Sequence, residues 1–299
     1  MDYVAVVGTT VGIYAMLALS LNLILGEAGQ PSIGHAAFLG IGAYTAAILN
    51  TRYGVPFWLD APLAALAAGL VGTILGAISL RLRADFLAVA TIGINFVVVA
   101  LFQYIDFFGG ALGIGGIEMP VLMGRALGTL DFFLLTWVVV ALVILLLRHL
   151  QSSWIGVGLR AIRDSEAAAA ACGVPVARYK VMAFAIATFL AGLAGSFYAH
   201  FMTFISPSDF QFIESVTVLA MVVLGGRGSI PGVLLGAVLL GVAPEIFRPL
   251  ADYRLLVYGT ILVLVMRLEP AGLLGTGSYL RRLLAGSRNK VRGVGAHAG

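Results

Sequence analysis

What this chain has little of is charge. Acidic and basic residues make up 11% of its 299 residues, while 61% are hydrophobic and the mean hydropathy is +1.04. A soluble domain carries about 25% charged residues, so an ordinary cytosolic fold is excluded. A bilayer accepts apolar surface on every face, and the composition is that of a multi-pass membrane protein. Cysteine is nearly absent too. Cys172 alone leaves no internal disulfide framework and no cysteine-built zinc or iron–sulfur site. Lysine stands only at Lys180 and Lys290, neither after a glycine loop, so nothing here cradles ATP in the manner of G-x-x-x-x-G-K-[ST]. H-E-x-x-H and G-x-S-x-G are missing, and His35, His149, His200 and His297 lie far apart. No bound cofactor, metal site or catalytic centre is expected of the chain itself. Met1-Asp2-Tyr3 lacks a basic leader region, and no cleaved targeting peptide is expected.

Apolar runs occur at 4–25, 33–50, 57–80, 85–105, 130–148, 181–203, 212–225, 230–247 and 254–268. They predict an all-α polytopic transmembrane bundle of about nine segments, eight or ten being the alternatives, some of them broken or re-entrant. The run 212–225 is the least complete. Glycine numbers 38, which suits helices that pack backbone to backbone in lipid. Gly72/Gly76 and Gly232/Gly236, at G-x-x-x-G spacing, are expected helix contacts. If the N-terminus starts outside and each run crosses once, fourteen Lys and Arg fall inside against four outside. That positive-inside bias places the C-terminus in the cytoplasm. It also accounts for the net charge of +4 and the pI near 9.4 through the bilayer, with no nucleic acid as partner. The membrane unit is read as 1–280, with a cytoplasmic segment 149–180 inside it, followed by a basic tail 281–299.

Ionisable groups avoid the middle of the runs; Glu214, Glu245 and Arg267 sit near their ends. Proton pumps need such groups mid-span, so the chain offers a pathway without a motor. One stretch interrupts the pattern. Gly26-Glu27-Ala28-Gly29-Gln30-Pro31-Ser32-Ile33-Gly34 holds three glycines and a proline, which no helix continues through smoothly. Two readings stand. The break lines a translocation path, with Asn22 before it and Gln30, Ser32 and His35 offering hydrogen bonds, or it is an ordinary turn in which Ser32 caps the next helix. A second polar group is Thr91 and Asn95, four apart and so on one helix face, with Gln103 beyond. They line the path or bond a neighbouring helix. A weak internal likeness links Ile24–Gly29 with Val223–Gly228, each a glycine-rich turn between apolar runs, as in transporter repeats.

Within 149–180, Asp164 or Ser165 can cap a helix whose body is Glu166 to Ala171, which Gly173 can end and Pro175 forbids to continue. A short helix with a small-residue face suits the grip of another protein and equally suits a solvated connector. Here a resemblance enters. Glu166-Ala167-Ala168, with Ala169 and then Gly173 one residue beyond the usual spacing, resembles the EAA loop by which ABC importer permeases dock their ATPases. Leu19–Gly26, Gly29–Phe38, Leu80–Arg83, Leu159–Asp164, Val223–Ser229 and Glu269–Gly275 follow in the order seen in LivM-type permeases of branched-chain amino acid importers, with Pro31 standing where leucine is expected. The resemblance spans residues 19 to 275. It implies a permease subunit paired with a sister permease, two ATP-binding subunits that hydrolyse the ATP, and an extracytoplasmic substrate-binding protein. The translocation path is expected near Asn22, Gln30, Ser32, His35, Thr91 and Asn95. The ATPase-coupling residues would be Arg160, Arg163, Asp164, Glu166, Ala167, Ala168, Ala169 and Gly173. Urea or short-amide importers, which have very similar permeases, are the alternative. An autonomous ion-coupled transporter is the contrasting class, and it calls for intramembrane carboxylates paired with one another.

Overall fold

The computed structural model describes residues 2–79, 84–122, 125–246, 259–260, 267 and 272–275. Ten α-helices run in chain order through these residues: α1 (Asp2–Asn22), α2 (His35–Tyr53), α3 (Phe57–Ser79), α4 (Ala84–Tyr104), α5 (Thr129–Ser152), α6 (Trp154–Asp164), α7 (Glu166–Ala171), α8 (Val176–Met202), α9 (Phe212–Gly225) and α10 (Ile230–Ile246). α1 passes into a π-helical turn, Leu23–Glu27, before the break. Four two-residue strands, β1 (Ile114–Gly115), β2 (Val121–Leu122), β3 (Arg125–Ala126) and β4 (Phe204–Ile205), form two small antiparallel pairs, β1 with β4 and β2 with β3. α6 and α7 mark one end of the bundle, the loop end; the strand pairs mark the far end.

The helical, multi-pass reading holds, but the described residues do not supply about nine crossings. Among the described residues, six helical segments are long and apolar enough to cross a membrane: Tyr3–Glu27, Phe57–Ile78, Phe86–Tyr104, Thr129–Ser152, Val176–Met202 and Pro207–Gly225. α2 has the length, but its 19 residues include His35, Thr45, Asn50, Thr51 and Arg52. Most of it is buried against α3, α8 and α4, so it needs no lipid-facing surface. α10 is shorter, at 17 residues. The incomplete run at 212–225 gains length from the 3-10 turn Pro207–Phe210, making 19 residues together. The run 254–268 lies almost wholly outside the described residues, as do Leu80–Arg83 and the tail 281–299.

Two layers follow from which side chains are covered. α3 turns Leu59, Leu63, Leu66, Leu70, Ile74 and Ile78 outward, and α5 does the same with Leu134, Val138, Leu142 and Leu145. Spacings of three and four put each set on one stripe. An exposed leucine stripe in such a composition is a lipid-facing surface. Behind it, small residues let the backbones meet. A Cβ on Gly72 or Gly76 would run into Thr188 or Phe184 of α8, and one on Gly236 into the Met221 carbonyl of α9. These glycines are helix contacts, as their spacing predicts. Far-end aromatics close the core: Tyr44 stacks on Phe102 at 3.9 Å between ring centroids, and Phe57 meets Phe197 edge-on at 5.1 Å.

Candidate functional site

The break between α1 and α2 is built by its own sequence. The π-turn ends with Ala28 N–H donating to the Leu23 carbonyl at 3.2 Å. Gly29 then takes φ +67, a left-handed conformation that side chains other than glycine resist. Gln30 N–H reaches back to the Ile24 carbonyl at 3.0 Å. Pro31 lacks a donor, and Ile33 N–H is met by Thr91 Oγ1 at 3.0 Å. Gly34 sits so close to the Thr91 carbonyl that a Cβ would collide with it. Ala36 N–H, at the start of α2, donates to Ser215 Oγ at 2.9 Å. The break is therefore wedged between α4 and α9, whose side chains satisfy the Ile33 and Ala36 backbone donors.

Its own side chains are treated differently. Gln30, Ser32 and His35 are buried. His35 Nε2 lies 2.7 Å from Ser20 Oγ, but its Nδ1, Ser32 Oγ and both amide atoms of Gln30 have no partner among the described residues. Asn95 gives its Nδ2 to the Phe210 carbonyl at 3.1 Å and leaves its Oδ1 unpaired. Each buried polar group left unpaired costs about 1–3 kcal/mol. Ser32 does not cap α2: the N-cap is Gly34, with no side-chain bond. Thr91 and Asn95 share a face, as expected, and both bond neighbouring segments. Asn22 stands apart from this group, its Oδ1 accepting Gly228 N–H at 2.8 Å. Gln103 is exposed. The two glycine-rich turns that resemble each other meet here, for a Cβ on Gly26 would strike the Gly228 backbone.

The loop is ordered by capping. Ser153 Oγ accepts Gly156 N–H at the start of α6, and Ser165 Oγ accepts Ala168 N–H at 3.3 Å at the start of α7. Gly173, at φ +81, ends α7 ahead of Pro175. Glu166 pairs with Lys180 at the base of α8, and Ala169 is buried, while Ala167, Ala168, Ala170, Ala171 and Gly173 are exposed. Arg160 and Arg163 turn away from that exposed face, toward the break. Arg160 Nη1 lies 3.4 Å from Glu27 Oε2, and Arg163 Nη1 donates to the Gly26 carbonyl at 2.7 Å. Asp164 meets its neighbour Arg163, at 3.4 Å.

Residues 3–266 match the family described as the branched-chain amino acid transport system permease component. The chain belongs to that family. It is 36% identical over 293 residues to the high-affinity branched-chain amino acid transport permeases LivM of Salmonella typhimurium and of Escherichia coli, covering 90% of this chain and 69% of each relative. It is 25% identical over 289 residues to the high-affinity branched-chain amino acid transport permease LivH of Salmonella typhimurium, covering 90% of this chain and 93% of the relative. No solved structure matches.

In this permease the sequence reading missed two acids. Glu27 was legible only as one polar residue of the break; the structure buries it, and its Oε1 accepts from Gln151 Nε2 at 2.8 Å. Asp60 was not singled out. It is fully buried at the far end, where Oδ2 meets His200 Nε2 at 2.9 Å and Oδ1 accepts Ser196 Oγ at 3.2 Å. His200 Nδ1 in turn meets the Glu118 carbonyl at 2.7 Å, and Glu118 N–H donates to Asn50 Oδ1 at 2.9 Å. A lone acid inside an apolar run was the available signal, since such a charge persists only with a partner. A cavity of about 340 Å³ also lies toward the far end, lined by Trp58, Arg125, Leu127, Asp131 and Leu134; it does not coincide with the break. Among the described residues no three His, Cys, Asp or Glu side chains gather to hold a metal ion.

Proposed function

We propose that this chain is one permease subunit of an ATP-driven importer for branched-chain amino acids, in a bacterial inner membrane with its C-terminus cytoplasmic. The observation that carries the reading is the likeness to LivM over nearly the whole chain. LivH-like permeases, similar but distinct, supply the kind of sister subunit with which it would form the path. Two ATP-binding subunits would dock on α7, whose exposed alanine face and Gly173 offer a small-residue surface. An extracytoplasmic binding protein would deliver the substrate at the far end. ATP is spent by the partners, and the chain itself performs no chemistry.

The path runs past Gln30, Ser32, His35, Thr91 and Asn95. The donors and acceptors of Gln30, Ser32, His35 and Asn95 that have no partner among the described residues suit the ammonium and carboxylate of a zwitterion. Asn22 holds the junction of the two glycine turns. Closure of the ATPase dimer would move the α6–α7 loop and shift the packing from outward- to inward-facing.

The test is ATP hydrolysis by the complex co-expressed with its genomic neighbours and reconstituted with the binding protein. Leucine, isoleucine or valine should stimulate it. Stimulation by urea alone would overturn the substrate, and failure of any ATPase to associate would overturn the importer. Gly173→Val forces a β-branched side chain into a left-handed residue, at about 1–2 kcal/mol. It should weaken ATPase co-purification while membrane insertion persists.

A further inference from the structure

The docking loop and the break touch each other through charge, and nothing in the family description assigns that contact a role. Glu27 closes the π-turn and is buried with 4% of its surface exposed. Its two carboxylate oxygens are taken by different elements: Gln151, at the end of α5, and Arg160, in the middle of α6. One turn further along α6, Arg163 holds the Gly26 carbonyl. Gly29 lies against the Arg163 stem so closely that a Cβ would collide with it. Three successive features of the break, Gly26, Glu27 and Gly29, are thus held by one face of α6, immediately before Gln30 begins the buried polar group.

The loop has a second attachment, Glu166 to Lys180 of α8, but α8 is an unbroken helix of 27 residues packed along α2 and α3. A displacement entering α8 must move that whole interface. A displacement entering the break meets a π-turn, whose i to i+5 bonds are the weak place in a helix and where such turns often serve function. It also meets a hinge glycine at φ +67. The softer route leads to Gln30, Ser32 and His35.

We infer that Glu27, Arg160 and Arg163 are positioning residues that convert movement of the α6–α7 loop into movement of the break, so that ATP use and rearrangement of the buried polar group are linked through this contact. The inference rests on the importer reading above. In the reconstituted complex, Glu27→Gln should leave ATPase association and basal hydrolysis intact, because Glu27 faces inward from the loop. It should reduce amino acid transported per ATP by roughly tenfold, within the ordinary range of coupling between sites. Arg163→Ala should lose transport likewise. Glu27→Gln with Arg160→Ala should be no worse than either alone, since both remove one contact. Glu27→Arg with Arg160→Glu should recover part of the loss.

Unchanged transport per ATP in Glu27→Gln and Arg163→Ala would overturn the inference while leaving the importer standing. Absence of ATPase association in the unaltered complex would instead overturn the importer itself. Should the variants fail to accumulate, hydrogen exchange in the unaltered complex decides. Exchange in residues 23–34 should change when ATP is trapped in the ATPases, and identical exchange would contradict the linkage.

Discussion

Two buried polar clusters, one at each half of the bundle, are built on opposite principles. At the far end Asp60, Ser196, His200 and Asn50 are buried, and each of these side chains has a hydrogen-bond partner. At the break Gln30, Ser32, His35 and Asn95 are equally buried, yet five of their polar atoms have none among the described residues. A satisfied network in a low-dielectric interior specifies one arrangement and resists change. An unsatisfied one gains whenever a polar guest or a rearrangement supplies partners. The far end is a fastening, and the break is a place of exchange.

The comparison can be broken most severely at the fastening. Asp60→Ala leaves His200 Nε2 and Ser196 Oγ without their acceptor, and losing one partner of a buried pair costs about 3–5 kcal/mol. Thermal unfolding in detergent should fall sharply, while the molecules that remain folded should transport normally. A transport defect at unchanged stability would move Asp60 into the path. Next in size is Gly34→Ala. The added methyl meets the Thr91 carbonyl, and overpacking of this kind costs about 1–3 kcal/mol; it should lower both stability and uptake as the break is pushed off α4.

The smallest stability effect sharpens the contrast. Gln30→Leu removes a buried amide whose two polar atoms have no partner among the described residues, so unfolding should stay level or rise by about 1 kcal/mol while uptake drops. A clear loss of stability, measured by the same thermal unfolding, would mean that the amide has partners after all. The break would then be a second fastening.

Much of this was legible in the sequence. Helices α1, α3, α4 and α5 begin and end within a few residues of their apolar runs, because a lipid-facing stripe needs a long uninterrupted apolar stretch. The count of crossings was not legible. Hydropathy cannot separate α2, which spends its small residues on burial by its neighbours, from a helix facing lipid. The break was visible from its three glycines and Pro31, which no helix tolerates together. Its partners were not, since Thr91 lies 58 positions from Ile33 and Ser215 lies 179 from Ala36. Asp60 and His200 are 140 apart, and only the antiparallel course of α3 and α8 brings them together. The loop was read correctly as a capped helix ended by glycine. That Arg160 and Arg163 face the break, leaving the alanines outward, depends on the turn of α6 and could not be read from composition.

The chain's single cysteine makes the central claim directly measurable. In the Cys172→Ala background, Ser32→Cys would place one thiol in the break, to be probed in the reconstituted importer with a small polar thiol reagent. The account predicts labelling that depends on whether ATP is trapped in the ATPases and that leucine suppresses. Labelling that never occurs, or that is indifferent to both nucleotide and leucine, would contradict it.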